Sequence, residues 1–91
     1  MNKSELIEKL AERSKVPKKK AEEVVETVFE AMKSALVQGQ RIELRGFGSF
    51  VNRNYNAYIG RNPKTGAKIE VPPKRLPYFK PGKELKLRVD R

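Results

Sequence analysis

Cysteine and histidine are absent from this chain, and aspartate occurs only once, at Asp90. Without cysteine, neither a disulfide nor a thiolate metal site can form. General-base catalysis usually relies on histidine, and metal-dependent hydrolysis needs clustered carboxylates or imidazoles. Residues 41–91 contain only four acidic side chains. These absences predict that the protein is not an enzyme and that it holds neither a metal ion nor another cofactor.

Long hydrophobic runs are also missing. The apolar stretches are only a few residues long, too short to cross a bilayer. The first residues alternate Glu, Lys and Leu, without the continuous apolar segment of a secretory signal. We therefore expect a soluble, cytoplasmic protein with no membrane partner and no small-molecule substrate.

Basic residues dominate what is present. The 91 residues include 21 Lys and Arg against 11 Asp and Glu, and the net charge is +10. Residues 1–40 contain 8 basic and 7 acidic side chains, whereas residues 41–91 contain 13 basic and 4 acidic ones. A chain of this length is expected to form one domain. The charge distribution predicts a nearly neutral scaffold followed by a segment that binds a polyanion.

Two amphipathic helices are predicted in the nearly neutral segment. Apolar residues recur at helical spacing in 3–13 and in 17–37. Asn2 begins a sequence that resembles a capping box. Pro17 suits the first position of the second helix, and Gly39 is a typical C-terminal stop.

An antiparallel sheet is predicted to follow the helices. Its segments alternate apolar and polar residues or are rich in β-branched and aromatic side chains. Pro81-Gly82 then opens a short C-terminal helix. The predicted fold class is α+β, with two N-terminal helices, a three-stranded antiparallel sheet with a long projecting β-hairpin, and a short C-terminal helix. The predicted extended segments are 41–45, 49–59, 67–71 and 75–80.

The projecting hairpin ends in the hexapeptide Arg61-Asn62-Pro63-Lys64-Thr65-Gly66. Asn-Pro followed by Gly is turn chemistry, which places the hexapeptide at the tip. The arm, residues 53–75, is long enough to project on the order of 30 Å at the rise of a strand. Two cations beside a rigid proline ring suit a nucleic-acid groove, where cations meet phosphates and proline wedges between bases. An ordinary solvated turn is the alternative.

The apolar surface is large for so short a chain. The apolar stripe of the second helix is broad, and Phe47, Phe50 and Phe79 add to it. A body of about 70 residues without disulfides or metal forms a modest core, which oligomerisation commonly completes. We therefore predict a homodimer in which residues 1–40 are the dimerisation scaffold. The phenylalanines are expected to pack in the core, and stacking on bases is the alternative.

Four motifs, distributed over nearly the whole chain, resemble those of one protein family. The asparagine-proline motif and the glycine-phenylalanine motif at this separation are together strong evidence for the resemblance, whereas each alone would be weak evidence. The chain thereby resembles the HU and integration host factor family of bacterial histone-like, DNA-bending proteins. The four motifs are Asn2-Lys3-Ser4-Glu5-Leu6, Gly46-Phe47-Gly48-Ser49-Phe50, Gly60-Arg61-Asn62-Pro63-Lys64-Thr65-Gly66 and Phe79-Lys80-Pro81-Gly82-Lys83-Glu84-Leu85.

The resemblance implies both a fold and a mode of binding. It implies an intertwined dimer with helices beneath and two β-arms above, and arms that embrace the minor groove of duplex DNA. It also implies that Pro63 intercalates at a base step, that the protein is associated with the nucleoid, and that a related subunit can take the place of the second copy. The residues predicted to contact DNA are Lys3, Arg53, Tyr55, Tyr58, Arg61, Asn62, Pro63, Lys64, Lys68, Lys74, Arg75, Lys80, Lys83 and Lys86.

Two arm positions depart from the family pattern. Family members commonly have cations where this chain has Tyr55 and Tyr58, so phosphate pairing along the arm is expected to be weaker. Packing between arms and contact with sugars both remain open for these rings. Pro72-Pro73 excludes a central strand and stiffens the base of the arm.

Some of the cations outside the arm have two interpretations. Lys3 either contacts DNA or pairs with Glu26. The lysines at positions 80, 83 and 86 either contact DNA, which the resemblance favours, or form a solvated face.

The predicted function is that of an architectural protein that binds duplex DNA with little sequence specificity, through the minor groove and the phosphates, and that bends and compacts it. A site-selective DNA bender in the manner of integration host factor is the first alternative, because readout in the minor groove is degenerate and selectivity then depends on deformability. A basic RNA-binding protein is less favoured, since the paired sheet aromatics of an RNA-recognition module are missing.

Overall fold

The first helix, α1, spans Lys3–Ser14 in the computed structural model. The Asn2 side chain caps this helix, because its Oδ1 accepts a hydrogen bond from the Glu5 backbone N–H at 2.9 Å. The capping interaction is the one that the sequence predicts. The helix extends one residue beyond its predicted end and stops where Lys15 adopts a left-handed backbone, with φ +54°.

The second helix, α2, spans Lys18–Val37 and begins one residue later than predicted. Pro17 has an extended backbone, with ψ 147°, and lies at the N-cap. Its carbonyl accepts the Ala21 N–H at 3.1 Å, as the carbonyl of a capping residue does. The prediction that Pro17 is the first helical residue was therefore wrong by one position.

The C-terminus of α2 closes with a Schellman arrangement. The Gly39 N–H donates to the Leu36 carbonyl at 3.1 Å, and the Gln40 N–H donates to the Ala35 carbonyl at 2.9 Å. Gly39 has φ +81°, a conformation in which an L side chain is strained. The predicted stop at this glycine is confirmed.

The remaining elements are five short strands and a third helix, and the structure describes residues 1–91 without a gap. Their order agrees with the predicted α+β fold class. The break between the second and third strands is the one feature of this order that the sequence did not predict. The elements are β1 (Ile42–Leu44), β2 (Gly48–Tyr55), β3 (Tyr58–Arg61), β4 (Lys68–Val71), β5 (Lys74–Pro81) and α3 (Lys83–Val89).

Strands β1, β2 and β5 form an antiparallel sheet with β2 in the centre. Phe50 in β2 pairs with Ile42 in β1 on one side and with Phe79 in β5 on the other. At the turn into β2, a Cβ on Gly48 would overlap the Lys80 backbone carbonyl and the Phe79 ring. Only glycine therefore allows β2 to enter the sheet so close to β5.

The outgoing strand of the arm is interrupted, although the sequence predicts it as continuous over 49–59. Strand β2 ends at Tyr55, and Asn56-Ala57 separates it from β3. Pro72-Pro73 separates β4 from β5 on the return side. Proline has no N–H to donate to a ladder, so pairing stops on both strands at this level. The end of the arm is therefore a separate two-stranded ribbon of β3 and β4.

The core of the single chain is very small. Only Ile7, Ala21 and Val25 are buried, and all three lie between α1 and α2. A second cluster joins the sheet to its turn, with ring centroids 5.3 Å apart for Phe47 and Phe79 and 4.8 Å apart for Phe50 and Phe79. The three phenylalanines pack with one another, but none of them is buried in the single chain, so the expectation that they pack in the core is met only in part.

Much apolar surface remains exposed, and the molecule is elongated. Val28 on α2 is 51% exposed and Phe47 is 46% exposed. The radius of gyration is 19.2 Å, whereas a compact chain of this length would have about 12 Å. The overall dimensions are 60 × 33 × 28 Å. Both features suit a subunit that completes its core against a second subunit.

Candidate nucleic-acid interface

Ion pairs are distributed unevenly between the two segments of the chain. The helices contain four of the five ion pairs, including Lys3–Glu26 at 2.5 Å and Lys18–Glu8 at 3.7 Å. Among the 13 cations of residues 41–91, only Arg41 makes an ion pair, with Glu43 at 2.8 Å. The other cations of this segment have no carboxylate partner and are available to an external polyanion.

The sheet has two chemically different faces, which follow from strand alternation and the β2–β5 register. One face meets α2, because Asn52 and Arg75 on it donate hydrogen bonds to that helix. We call the opposite side the basic sheet face. Its large apolar side chains are partly exposed; Tyr78, for example, is 39% exposed. The basic sheet face consists of Val51, Arg53, Tyr55, Lys74, Leu76, Tyr78 and Lys80.

Aromatic rings hold two cations on the basic sheet face. The Arg53 guanidinium carbon lies 3.4 Å from the Tyr78 ring centroid, and Lys74 Nζ lies 5.9 Å from that of Tyr55. Cation–π attraction restricts the side chains without neutralising their charge. The geometry therefore presents Arg53 in an ordered position suited to phosphate. It also gives Tyr78 a supporting role beneath Arg53 that the sequence did not indicate.

The β3–β4 ribbon also has two different faces. Arg61 and Lys68 are directly opposite each other on one face. Like charges in this arrangement repel, which favours binding of an anion between them. The other face carries Tyr58, which is 59% exposed and whose ring covers Gly60. Tyr58 is therefore separated from the cationic face by the thickness of the ribbon.

The tip of the arm is ordered by its own backbone hydrogen bonds. The Asn62 N–H donates to the Ala67 carbonyl at 2.9 Å, and the Gly66 N–H donates to the Asn62 carbonyl at 2.7 Å. The Lys64 N–H donates to Asn62 Oδ1 at 2.9 Å. The side chain of Asn62, a predicted DNA contact, therefore also stabilises the turn. Pro63 is exposed at the end of the ribbon. A rigid ring at this position has the geometry required of a wedge.

Lys3, a predicted DNA contact, is engaged with Glu26 on α2. The hydrogen bond and the negative charge of Glu26 raise the pKa of Lys3 above its ordinary value. The same two interactions with Lys3 lower the pKa of the Glu26 carboxyl. Both groups are exposed, so water screens their attraction and a phosphate can compete for Lys3.

Arg75, another predicted DNA contact, points toward α2 and not toward the basic sheet face. Its Nη2 donates to the Val37 carbonyl at 3.0 Å. Asn52 Nδ2 similarly donates to the Leu36 carbonyl at 2.8 Å, an interaction that the sequence did not predict. A signal for it exists in the sequence, because Asn52 is a polar residue in phase with Phe50 on the helix-facing side of β2.

The last group of predicted contacts lies at the flank of the sheet. Lys80 is on the basic sheet face, while Lys83 and Lys86 are exposed and three residues apart on α3. The Gly82 N–H donates to the Phe47 carbonyl at 2.9 Å and docks the start of α3 on the β1–β2 turn. These three lysines are therefore exposed at the end of the sheet and on the helix that follows it.

Comparison with known proteins agrees with this geometry. The family model described as "Bacterial DNA-binding protein" matches residues 1–90. The chain is 56% identical over 91 residues to integration host factor subunit beta of Herminiimonas arsenicoxydans, and the match covers 99% of this chain and 90% of that protein.

Two solved structures have the same fold over almost the whole chain. HU from Anabaena, in a cocrystal with DNA, is 43% identical and superposes with a TM-score of 0.86, covering 98% of this chain and 97% of that one. HU from Thermotoga maritima is 34% identical, with a TM-score of 0.67 and coverage of 98% of each chain.

A helical base, a small sheet and a basic β-ribbon define a class of DNA-binding proteins with projecting arms. The chain belongs to the bacterial DNA-binding protein family that includes HU and integration host factor. It is therefore an architectural DNA-binding protein, and proteins of this family form homodimers or heterodimers. The family, the fold class and the DNA partner predicted from the sequence are confirmed. No helix in the structure is both long and apolar enough to span a membrane.

Proposed function

We propose that this protein binds duplex DNA through the minor groove and the phosphates with little sequence specificity, and that it bends and compacts the DNA as a homodimer in the bacterial nucleoid. The observation that carries the proposal is the set of cations in residues 41–91 that have no carboxylate partner. Cations without internal partners contribute to affinity when they displace counterions from DNA. The same segment forms the sheet, the arm and α3.

Each part of this surface has its own role in the proposal. The basic sheet face supports the duplex through Arg53, Lys74 and Lys80, while Lys83 and Lys86 contact phosphates at its flank. On the arm, Arg61, Lys64 and Lys68 contact phosphates of the DNA backbone. Tyr55, at the end of β2, and Tyr58, in β3, contact sugars. Asn62 orders the tip, and Pro63 wedges into a base step, which holds the DNA in a bent form.

The low sequence specificity follows from the kind of contact. The minor groove distinguishes mainly A·T from G·C pairs, and phosphates are the same at every step. The protein is not an enzyme in this proposal, because DNA bending requires only binding energy. Incubation with supercoiled plasmid and Mg²⁺ is expected to leave the plasmid without nicks.

A site-selective bender that pairs with a related subunit is the second candidate. The identity of 56% to a protein named integration host factor subunit beta favours it. In that case selectivity would come from the sequence-dependent cost of kinking the duplex, and the second subunit would complete the site.

A competition experiment separates the two candidates and the RNA alternative. The homodimer is titrated into a labelled duplex whose end-to-end distance reports bending, in the presence of excess duplexes of unrelated sequence. Equal competition by all DNA sequences supports the proposal. If the protein stays bound to one DNA sequence in the presence of a large excess of the others, the site-selective candidate is favoured. If an RNA duplex of equal length competes more strongly than DNA, both candidates are contradicted.

A further inference from the structure

Two side chains join the root of the arm to helix α2. Asn52 Nδ2 donates to the Leu36 carbonyl at 2.8 Å, and Arg75 Nη2 donates to the Val37 carbonyl at 3.0 Å. Both carbonyls lie in the last turn of α2, where carbonyl groups have no i+4 partner within the helix. The Leu36 carbonyl also accepts the Gly39 N–H, and its second lone pair accepts Asn52. Asn52 and Arg75, which we call the arm-root bracket, are on the same face of the sheet and on two paired strands.

The chemistry of this contact suits arginine. Helix α2 has no basic residue in its last turn, so Arg75 is the cation at the negative end of its dipole. Arg75 Nη1 lies 3.6 Å from the position that a Cβ on Gly39 would occupy, so the guanidinium lies against the turn that closes α2. A planar guanidinium can donate to a carbonyl and pack against a turn at the same time. An arginine committed in this way is poorly placed to meet phosphate.

The bracket lies at the level where the arm leaves the body. Arg75 pairs with Asn54, and only the pair Tyr55–Lys74 follows before the ladder ends. Beyond that pair the two strands separate at Asn56-Ala57 and at Pro72-Pro73. The direction of the ribbon therefore depends on how firmly the last pairs of β2 and β5 are held relative to α2.

We infer that Asn52 and Arg75 are positioning residues that set the direction of the arm relative to α2, and that Arg75 is not a phosphate ligand. The inference rests on the proposed function, because the arm must grip a duplex for its direction to matter. The bracket contributes to binding by holding each arm in the orientation that reaches the groove. It does so without displacing counterions, since its donors already bind carbonyls.

The test uses two substitutions of Arg75 and one matched control. Arg75→Gln removes the charge, whereas Arg75→Lys keeps the charge and removes the planar donor pair. Lys74→Gln is the control, because Lys74 is the neighbouring cation on the basic sheet face. Affinity for an intact duplex is measured over a series of salt concentrations, and single-molecule energy transfer between the duplex ends reports the bend. Sedimentation and circular dichroism verify a folded dimer at the assay temperature.

Both Arg75 variants are expected to bind about fivefold more weakly, the lower end of typical coupling between sites, with a broader distribution of bend angles. The slope of log affinity against log salt should not change in either variant. Lys74→Gln should instead make the slope shallower by about 0.9 for each phosphate that is no longer neutralised, or about 1.8 per dimer.

A second pair of variants tests the bracket without any change of charge. Asn52→Leu removes the other donor and should reproduce the weaker binding and the broader bend of Arg75→Gln. Asn54→Leu is its control, because Asn54 is exposed on the same face of β2. It should leave binding and bending as in the unsubstituted protein.

Three outcomes would overturn the inference. A shallower slope for Arg75→Gln, with Arg75→Lys unchanged, would make Arg75 a phosphate ligand. Unchanged affinity and bending in both Arg75→Gln and Asn52→Leu would show that the bracket does not position the arm. Failure of the unsubstituted protein to bind duplex DNA would overturn the proposed function together with the inference, and it is distinguishable because it appears before any substitution is made.

Discussion

The helical segment and the sheet-and-arm segment of this protein use charge in opposite ways. In residues 1–40, 8 cations accompany 7 carboxylates, and four ion pairs form within and between the helices. In residues 41–91, 13 cations accompany 4 acidic groups, and only one ion pair forms. Net charge alone therefore does not define a binding surface. What matters is which charges have no partner within the protein.

The two segments also differ in how they are held together. The buried residues all lie between α1 and α2, whereas the β3–β4 ribbon buries none of its side chains. The ribbon is held by its ladder and by the hydrogen bonds of its tip. An isolated two-stranded ribbon is marginally stable in water. We therefore expect the ribbon to gain order when DNA binds, whereas the structure of α1 and α2 should not change.

The largest expected effect comes from disrupting the helical base. Val28→Glu places a carboxylate on the exposed apolar stripe of α2, and burial of an unpaired carboxylate between subunits costs several kcal/mol. The protein should sediment near its monomer mass of 10.4 kDa and should no longer bind duplex DNA. Thr27→Glu is the control, because Thr27 is exposed and lies outside the apolar stripe. A dimer that persists with Val28→Glu would place the subunit interface elsewhere.

Salt should weaken DNA binding steeply if the unpaired cations are the binding surface. About six phosphate contacts per dimer correspond to a decrease in affinity on the order of 10³-fold between 50 and 200 mM salt. The measurement is a titration of labelled duplex at several salt concentrations. A slope of log affinity against log salt shallower than about −3 would contradict the assignment of residues 41–91 as the binding surface.

Pro63→Ala should reduce the bend of an intact duplex more than it reduces affinity for nicked DNA. The wedge holds a base step unstacked, which costs a few kcal/mol on intact duplex, and a nick removes much of that cost in advance. Bend angle and affinity are compared on intact and nicked duplexes. Pro17→Ala is the matched control, because Pro17 lies at the N-cap of α2 and outside the arm. An unchanged bend of intact DNA would make Pro63 only a turn residue.

Adding cations to the arm at the two tyrosine positions should increase the charge difference between the arm and the helical segment. Tyr55→Arg combined with Tyr58→Arg adds four cations per dimer, so the salt slope should become steeper by at most about 3.6 and affinity for plain duplex should rise. The opposite hypothesis is that both rings contact DNA, since their apolar area and hydroxyl groups can meet sugars and phosphates.

Paired phenylalanine variants serve as the control for this substitution, because they keep the rings and remove only the hydroxyl groups. Weaker binding of the double arginine variant with an unchanged salt slope would show that the tyrosines are themselves contact residues.

The smallest expected effect concerns the ion pair between α1 and α2. The pKa of Glu26 is lowered in the folded protein, so its stabilising contribution is present at neutral pH and disappears as pH falls below about 4. The pKa of Lys3 is raised, so the contribution of the amine is present at neutral pH and disappears only in strong alkali. The pair is exposed, so the effect on the thermal midpoint should be small.

Glu26→Gln tests this expectation by thermal unfolding at pH 7 and pH 3. The midpoint should fall slightly at pH 7, and the difference from the unsubstituted protein should shrink at pH 3. Glu12→Gln is a control, because Glu12 makes no ion pair in the structure. An equal difference at both pH values would show that the carboxylate charge of Glu26 does not stabilise the fold.

Local features of the fold were predictable because neighbouring residues determine them. The cap at Asn2, the stop at Gly39 and the turn at Asn62 each depend on hydrogen bonds within a few residues. The interruption of the arm at Asn56-Ala57 was not predicted, because its cause lies about 16 residues later in the chain, at Pro72-Pro73. The two positions lie opposite each other only because the outgoing and return strands of the arm pair. Sequence periodicity does not reveal this pairing.

The composition and patterning of the sequence by themselves determined the class of partner, the order of the elements and the position of the tip, since each follows from charge counts or from local backbone preferences. Only the tertiary structure decided which cations are free. It paired Lys3 with Glu26, stacked Arg53 on Tyr78 and turned Arg75 toward Val37. These assignments depend on contacts between residues that are remote in sequence. A difference of a few ångströms in their positions decides whether a charged group contacts a carboxylate, a ring, a carbonyl or the solvent.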